Sequence, residues 1–249
     1  MSMEFPIPRG FACLCVTGYT VAVMPHVRSH KLRKNISQKY HDRVAAKYDA
    51  IYQGSYWEFY QKLSWDGLRP YIPKDLRAPV ADLGCGTGYF GLRLLKSGYA
   101  VTFVDISAKM LDAARSKAEK FGAQTAGRAE FVQMDISRMA GLAGNTFGLV
   151  IAQGDPISHA GINAEKALAD CARILAPGGA LVASVDNLWA GIEHYFSTGD
   201  MDGLENFLKN GRSEWLAHAA EERFALRMFR PDHLKDIIKR LGLECVDLF

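Results

Sequence analysis

The sequence has few cysteines, little net charge and no long apolar run, and each shortage excludes a class of protein. Its five cysteines lack the paired short spacings of zinc ribbons and disulfide scaffolds, so we expect free thiols, no metal site and a cytoplasmic location. A net charge of +3 is too weak to indicate a nucleic-acid partner. The apolar run from Phe11 to Met24 is broken by polar residues and is too short to span a bilayer, so no membrane partner is expected.

What remains is the composition of an ordinary soluble globular protein, with 49% hydrophobic and 23% charged residues in 249. The basic surplus belongs to the start of the chain, because residues 1–47 carry eight basic and two acidic side chains. We interpret residues 1–35 as an appendage and residues 36–78, rich in aromatics at helical spacing, as a helical cap. Residues 79–249 form the predicted core, with an insertion over residues 187–223.

After Pro79, short apolar runs alternate with helical stretches, a pattern typical of a parallel sheet built from strand-helix-strand units. Helices are predicted at about 89–97, 107–121, 163–175 and 231–241. The predicted strands begin near Val80, Val101, Glu130, Leu149, Leu181 and Glu244. The insertion follows the fifth of these strands, at the sheet edge where ligands bind, which makes it a candidate lid.

The segment ADLGCGTGYFG, residues 81–91, lies between a predicted strand and a predicted helix. Gly84, Gly86 and Gly88 permit a tight turn and let a ligand approach the backbone closely. Gly86, Gly88 and Gly91 also match the spacing of a dinucleotide-binding turn, so the glycines alone leave the ligand open.

Asp82 distinguishes a dinucleotide ligand from a ligand that carries a positive charge. A carboxylate beside a pyrophosphate is a like-charge contact that costs on the order of 1 kcal/mol or more, whereas a cationic sulfonium or ammonium group gains from it. Asp82 therefore favours a zwitterionic ligand over NAD.

The run from Asp82 to Gly88 resembles the first motif of the class I S-adenosylmethionine-dependent methyltransferases, and the resemblance extends through most of residues 36–249. It implies an α/β, Rossmann-like, doubly wound and mostly parallel sheet, with a helical N-terminal cap and a lid insertion after the fifth strand. Family members commonly finish with two strands that form an antiparallel hairpin at the sheet edge, and only one of them is predicted here. Either the final strand is absent and leaves an edge that must be covered, or residues 11–24 supply the cover; we expect the second.

The resemblance also implies the residues that hold S-adenosylmethionine. Asp105 matches the acidic residue that binds both ribose hydroxyls, and Asp135 the one that accepts the adenine amino group. Tyr48 and Asp49 resemble a pair placed over the cofactor in small-molecule methyltransferases. The predicted cofactor set is Tyr48, Asp82, Gly84, Cys85, Gly86, Gly88, Asp105, Ile106, Met110, Asp135, Ile136 and Gln153. Structural roles stay open for several: Asp105 and Asp135 could cap a helix or turn, and Met110 could be core.

The loop after the fourth predicted strand supplies the candidate catalytic residues, Asp155 and His159. His159 is the preferred base because an unperturbed imidazole titrates near neutrality. Asp155-Pro156 resembles the loop of nucleobase and glutamine methyltransferases, but Ile157 and Ser158 replace its second proline and its aromatic. We therefore predict methyl transfer to an O, N or C atom of a small organic acceptor by a monomer or homodimer. The alternatives are a regulator that binds the cofactor without catalysis and, less favoured, an NAD-dependent oxidoreductase.

Overall fold

The computed structural model describes residues 30–214 and 220–248. The predicted edge cover, residues 11–24, lies outside the described residues. The first described helix, α1, spans His30–Val44 and crosses the predicted boundary between appendage and cap at residue 35. Within the described ranges, no helix has the length and apolar character required to cross a bilayer.

Five parallel strands form the central sheet in the order β3-β2-β1-β4-β5. Their bounds are Val80–Leu83 (β1), Val101–Asp105 (β2), Ala129–Gln133 (β3), Phe147–Ala152 (β4) and Leu175–Ala183 (β5). The chain leaves β1 toward β2 and β3, then returns to the other side of β1 as β4. This reversal confirms the doubly wound prediction and opens a crevice at the carboxyl ends of β1 and β4, where such sheets bind ligands.

Helices cover both faces of the sheet, and most lie close to their predicted positions. After α1 come Tyr48–Ile51 (α2), Ser55–Leu68 (α3), Tyr89–Lys96 (α4), Ala108–Glu119 (α5), Ala123–Ala126 (α6), Pro156–His159 (α7), Ala164–Ile174 (α8), Leu188–Thr198 (α9), Met201–Asn210 (α10) and Pro231–Arg240 (α11). The central strands β1 and β2 are buried throughout, as expected for strands covered on both faces.

Alternation along β1 divides the core. Ala81 and Leu83 pack toward α8 and α11, whereas Val80 packs with Leu94 and Leu95 of α4 on the opposite face. Because side chains alternate with a period of two, Asp82 projects to the α4 face.

The strand predicted near Glu244 is wrong: residues 243–248 have no regular structure, and Val246 is 69% exposed. An apolar alternation becomes a strand only where a neighbouring strand completes its hydrogen bonds, and among the described residues the sheet ends at β5. The fifth strand also begins earlier than predicted, at Leu175. The Pro177-Gly178-Gly179 segment lies inside it as an irregularity, where the register with β4 shifts.

The insertion contains α9, α10 and the strand Arg212–Glu214 (β6), which pairs antiparallel with Ala225–Arg227 (β7) just after the insertion; the sequence did not predict this pair. Trp215, one of its aromatics, lies outside the described residues. This region packs against the cap: the Tyr40 ring contacts the ring of Phe224, just beyond the insertion, and two guanidinium nitrogens of Arg43 each lie 2.6 Å from a Glu222 carboxylate oxygen. Cap and insertion therefore form one continuous cover at the crevice.

Candidate active site

The crevice is formed where the turn after β1 meets the turn after β4. Gly84 has a φ of +63°, and a Cβ added there would lie 2.3 Å from the Pro156 Cβ. Only a residue without a side chain allows the two turns to approach this closely. Gly86 also has a positive φ, +53°, and a Cβ atom added there would lie 3.6 Å from the Tyr48 ring. The glycines thus bring Pro156 and Tyr48 against the backbone of one turn.

Asp105, at the end of β2, is bonded to that turn. Its Oδ2 accepts a hydrogen bond from the Gly86 amide and its Oδ1 accepts one from the Ser107 amide, each at 2.8 Å. The residue is 7% exposed, and burial raises its pKa, although the Ser107 amide and the charge of His41 act in the opposite direction. A carboxylate oxygen can accept two hydrogen bonds, so each oxygen keeps one acceptor position beyond these contacts.

Asp82 faces helix α4 instead of the open side of the turn. Its Oδ2 accepts a hydrogen bond from the Gly91 amide at 2.8 Å, and the residue is 2% exposed. Burial raises its pKa to about 7, with a further contribution from Asp105. Asp82 therefore fixes the start of α4 against β1, and its contact with a cationic ligand stays a prediction.

Asp82 should make stability depend on pH in an unusual direction. Its pKa is about 7 in the folded chain, against about 3.9 when unfolded, so the folded state holds the proton more tightly between these values. The contribution of Asp82 to the free energy of unfolding is complete below about pH 4, and it falls by at most about 4 kcal/mol as pH rises toward 7. Urea unfolding at several pH values should therefore give a wild-type minus D82N difference that falls across this window; a constant difference would contradict the assignment.

Cys85, Gly88 and Met110 are placed by packing. The Cys85 sulfur contacts its neighbour's carbonyl, and burial and nearby Asp105 raise the thiol pKa well above its usual value, so it remains a thiol. Gly88 begins α4 in the left-handed region, with a φ of +89°. Met110 is fully buried and packs with Val44 of the cap.

The adenine-side prediction rests on residues at the tips of β2 and β3. Asp135 caps the short turn that follows it, since its Oδ1 accepts from the Ser137 amide at 2.9 Å and from the Ser137 hydroxyl at 2.7 Å. Ile136 is buried in the core, and the Ile106 carbonyl accepts from the Gln133 side chain. Gln153 is half-buried just beyond β4. These residues stand at the same sheet edge as Asp105.

Two aspartates of the cap hold it across the crevice. Asp42 accepts a hydrogen bond from the Ser107 hydroxyl at 2.5 Å. Asp49 accepts one from Thr87 and pairs with Lys117, both at 2.6 Å. These bonds lower the Asp49 pKa although its partial burial acts to raise it. The cap is thus tied to the glycine turn and to the start of α5.

Asp155 occupies a strained position at the tip of β4. It has a φ of +61°, uncommon for a residue with a side chain, and its amide and that of Gly154 both donate to the Ser184 hydroxyl at 3.0 Å. Burial raises its pKa, and its charge in turn helps to raise the pKa of Tyr60, where burial is the main cause. Burial, together with the same Asp155 charge, raises the pKa of Tyr52 and of Tyr56. Asp155 therefore lies beside a group of phenols from the cap.

His159 ends α7 under an aromatic cover. Its ring lies 5.2 Å from the Phe224 ring and 5.9 Å from the His41 ring, measured between centroids. Burial, with the nearby His41, lowers its pKa to about 3. His159 is therefore a neutral imidazole at pH 7, a hydrogen-bonding group and a poor proton acceptor.

Sequence reasoning missed His41, Asp42 and Ser184. All three lie outside the recognised motifs, and Ser184 shares no local spacing with Asp155. The helical pattern of α1 did not single out His41 and Asp42, because it does not show which polar side chains face solvent and which face a crevice. Their position beside the crevice follows from tertiary packing, which the sequence pattern does not contain.

Comparison with known proteins agrees with this architecture. A family model described as a methyltransferase domain matches residues 80–179. The Geobacillus sp. (strain WCH70) protein GWCH70_2453, which carries a provisional methyltransferase name, is 35% identical over 100 residues, or 36% of this chain and 38% of that protein. The chain thus spans well under half the length of this relative.

Longer matches are weaker in sequence. Protein MJ1252 of Methanocaldococcus jannaschii is 24% identical over 226 residues, covering 88% of this chain and 81% of that protein. A solved structure, the 1,6-didemethyltoxoflavin-N1-methyltransferase of Burkholderia thailandensis with bound 1,6-didemethyltoxoflavin and S-adenosylhomocysteine, has a TM-score of 0.59 at 15% identity, covering 90% of this chain and 84% of that one. At such identity the likeness shows the fold alone.

Proposed function

We propose, from the methyltransferase-domain match over residues 80–179, that the chain is a class I S-adenosylmethionine-dependent methyltransferase that transfers a methyl group to an O, N or C atom of a small organic acceptor. The observation that carries the proposal is the bond between the Gly86 amide and Asp105. It joins the glycine turn to a carboxylate that retains one acceptor position on each oxygen.

The described residues fit the cofactor at this point. Two free acceptor positions on one carboxylate match the two hydroxyl donors of a ribose. The positive φ of Gly86 exposes turn backbone beneath the Tyr48 ring, which gives an apolar cover beside polar amides. We assign Asp105, Gly86 and Tyr48 to direct contact, and Asp82 to holding the turn from behind.

When bound there, S-adenosylmethionine supplies a methyl group on a positively charged sulfur. Such a displacement depends mainly on holding donor and acceptor in line, so the protein's task is to orient the acceptor and exclude water. We assign the orientation of the acceptor to Asp155 and to the neutral imidazole of His159. Ser184 fixes the backbone of Asp155. The cap phenols and Phe224 exclude water from above.

A small acceptor is favoured by the enclosure of this region. Tyr48, Tyr52 and Trp57 form a chain of ring contacts, with centroids 4.5 and 4.4 Å apart, and cover the crevice beside Asp155. A mostly apolar recess with a few placed polar groups is typical of small-molecule sites. The Burkholderia thailandensis structure, which holds bound 1,6-didemethyltoxoflavin, is consistent with this class.

Transfer of a labelled methyl group tests the proposal. Full-length protein incubated with S-adenosyl[methyl-¹⁴C]methionine and fractionated small-molecule extracts should place label in a low-mass product. The substitution D155N should lower the rate about 10- to 100-fold, because it alters one polar contact that orients the acceptor, while the affinity for S-adenosylhomocysteine changes less than about threefold. Binding of S-adenosylhomocysteine without transfer to any fraction would favour the non-catalytic regulator.

A further inference from the structure

We propose that His41 is the base of this site, taking a proton from the acceptor, and that the acceptor is therefore a hydroxyl or N–H compound that arrives protonated. The inference rests on the proposed function and narrows it. It stands on how α1 fixes this imidazole between β2, α7 and the insertion.

The backbone of α1 determines which nitrogen of His41 is free. Nδ1 lies 2.8 Å from the Ser37 carbonyl oxygen, one helical turn earlier. A carbonyl can only accept, so Nδ1 carries the hydrogen and the neutral ring presents the lone pair of Nε2 on its other side. The tautomer that a base requires at Nε2 is thus set by a contact within the helix.

The two residues after His41 tie its backbone to α5 and to the insertion. Asp42 is bonded to Ser107 at the start of α5, and Arg43 makes its double contact with Glu222 of the insertion. A side chain whose backbone is tied to two different elements keeps its geometry without reorganisation during a reaction. His41 therefore belongs to the rigid part of the cover.

Charged and aromatic groups surround His41. The charge of His41 lowers the pKa of the Asp105 carboxyl, so the two side chains lie within electrostatic reach of each other. His159 stays neutral and places no competing charge beside it. Rings of Tyr40 and Phe224, at 5.2 and 6.1 Å from the His41 ring, limit access of water. The titratable and charged groups around His41 are Asp105 of β2, His159 of α7, Tyr40, Asp42 and Arg43 of α1, and Glu222 of the insertion.

The step balances without any further reactant. An acceptor lone pair forms the new bond to the methyl carbon, and the carbon–sulfur bond breaks with its electron pair remaining on sulfur. The acceptor's proton passes to Nε2 of His41, and the imidazolium returns it to solvent after the products leave. The net products are the methylated acceptor, the thioether and one proton.

The first test needs no acceptor. Long-range ¹H–¹⁵N NMR of the full-length protein with S-adenosylhomocysteine should assign the hydrogen of neutral His41 to Nδ1. A hydrogen on Nε2 would remove the free lone pair and overturn the proposal.

The second test compares H41Q with H233Q, the same change at an imidazole on α11 outside the crevice. With the extract fraction that accepts label from wild-type protein, H41Q should lower kcat about 100-fold or more, with KM for S-adenosylmethionine and S-adenosylhomocysteine affinity each within about threefold. The defect should shrink as pH rises toward ionisation of the acceptor itself, because a deprotonated acceptor needs no base. H233Q should retain wild-type kcat.

Three results would refute this role: unchanged kcat in H41Q, a defect equal at every pH, or a methylated atom that carried no proton before transfer. Active H41Q protein would defeat the inference and leave the methyltransferase proposal standing. Wild-type protein that binds S-adenosylhomocysteine and labels nothing would defeat both.

Discussion

Replacing Asp105 with alanine is expected to weaken S-adenosylhomocysteine binding by about 100-fold or more, which corresponds to about 2.7 kcal/mol. The substitution removes both acceptor positions assigned to the ribose and also releases the amides of Gly86 and Ser107. Hydrogen bonds to a charged group contribute about 1.5–3 kcal/mol each, so losing two exceeds the effect of one ordinary contact. Calorimetric titration of each protein with S-adenosylhomocysteine measures the loss.

The matched control is D112A. Asp112 lies on α5, is exposed, and pairs only with Arg115 three residues later among the described residues. Its loss should leave binding within about twofold, as expected for a surface ion pair. A second variant, D105N, keeps the size of the side chain and should still bind at least about tenfold more weakly, because its amide group offers donors where acceptors are needed. Equal affinity in D105A and D112A would exclude Asp105 from the cofactor site.

Alanine at Gly84 is expected to cost about 3 kcal/mol in the free energy of unfolding. About 1 kcal/mol comes from holding a side chain in the left-handed region and the rest from overpacking, because the new Cβ would lie 2.3 Å from the Pro156 Cβ. The turns after β1 and β4 would have to separate, so S-adenosylhomocysteine binding should weaken as well.

Gly199 provides the control for Gly84. Its φ of +70° is nearly the same, but an added Cβ would meet nothing within 4 Å. Urea unfolding of G199A should therefore report the backbone cost alone, about 1 kcal/mol. If G84A and G199A lose the same stability, the close approach of the two turns is not a determinant of this fold.

The alternation of strands and helices could be predicted from residues 79–183 because each element is specified locally. A strand such as β2 is rich in β-branched and aromatic residues and is buried throughout, and the glycine turn directly precedes the next helix. The prediction for the last segment failed because strand pairing is not local: residues 243–248 include apolar side chains, as a strand does, but pair with no strand among the described elements. The β6-β7 pair was missed for the complementary reason, since each of its strands is only three residues long.

Site residues divide in the same way. The position of Asp105 beside the glycine turn follows from parallel strands ending at one sheet edge, so a motif in the sequence could predict it. The direction of Asp82 depends on strand alternation relative to α4, which the motif does not contain. His41 could not be predicted at all, because a helix more than sixty residues before Asp105 in the chain brings it to the crevice.

The most direct test of the central claim is calorimetric titration of the full-length wild-type protein with S-adenosylhomocysteine and, separately, with NAD. We expect saturable binding of one S-adenosylhomocysteine per chain and no measurable heat with NAD. Saturable NAD binding with no response to S-adenosylhomocysteine would contradict the assignment of this crevice.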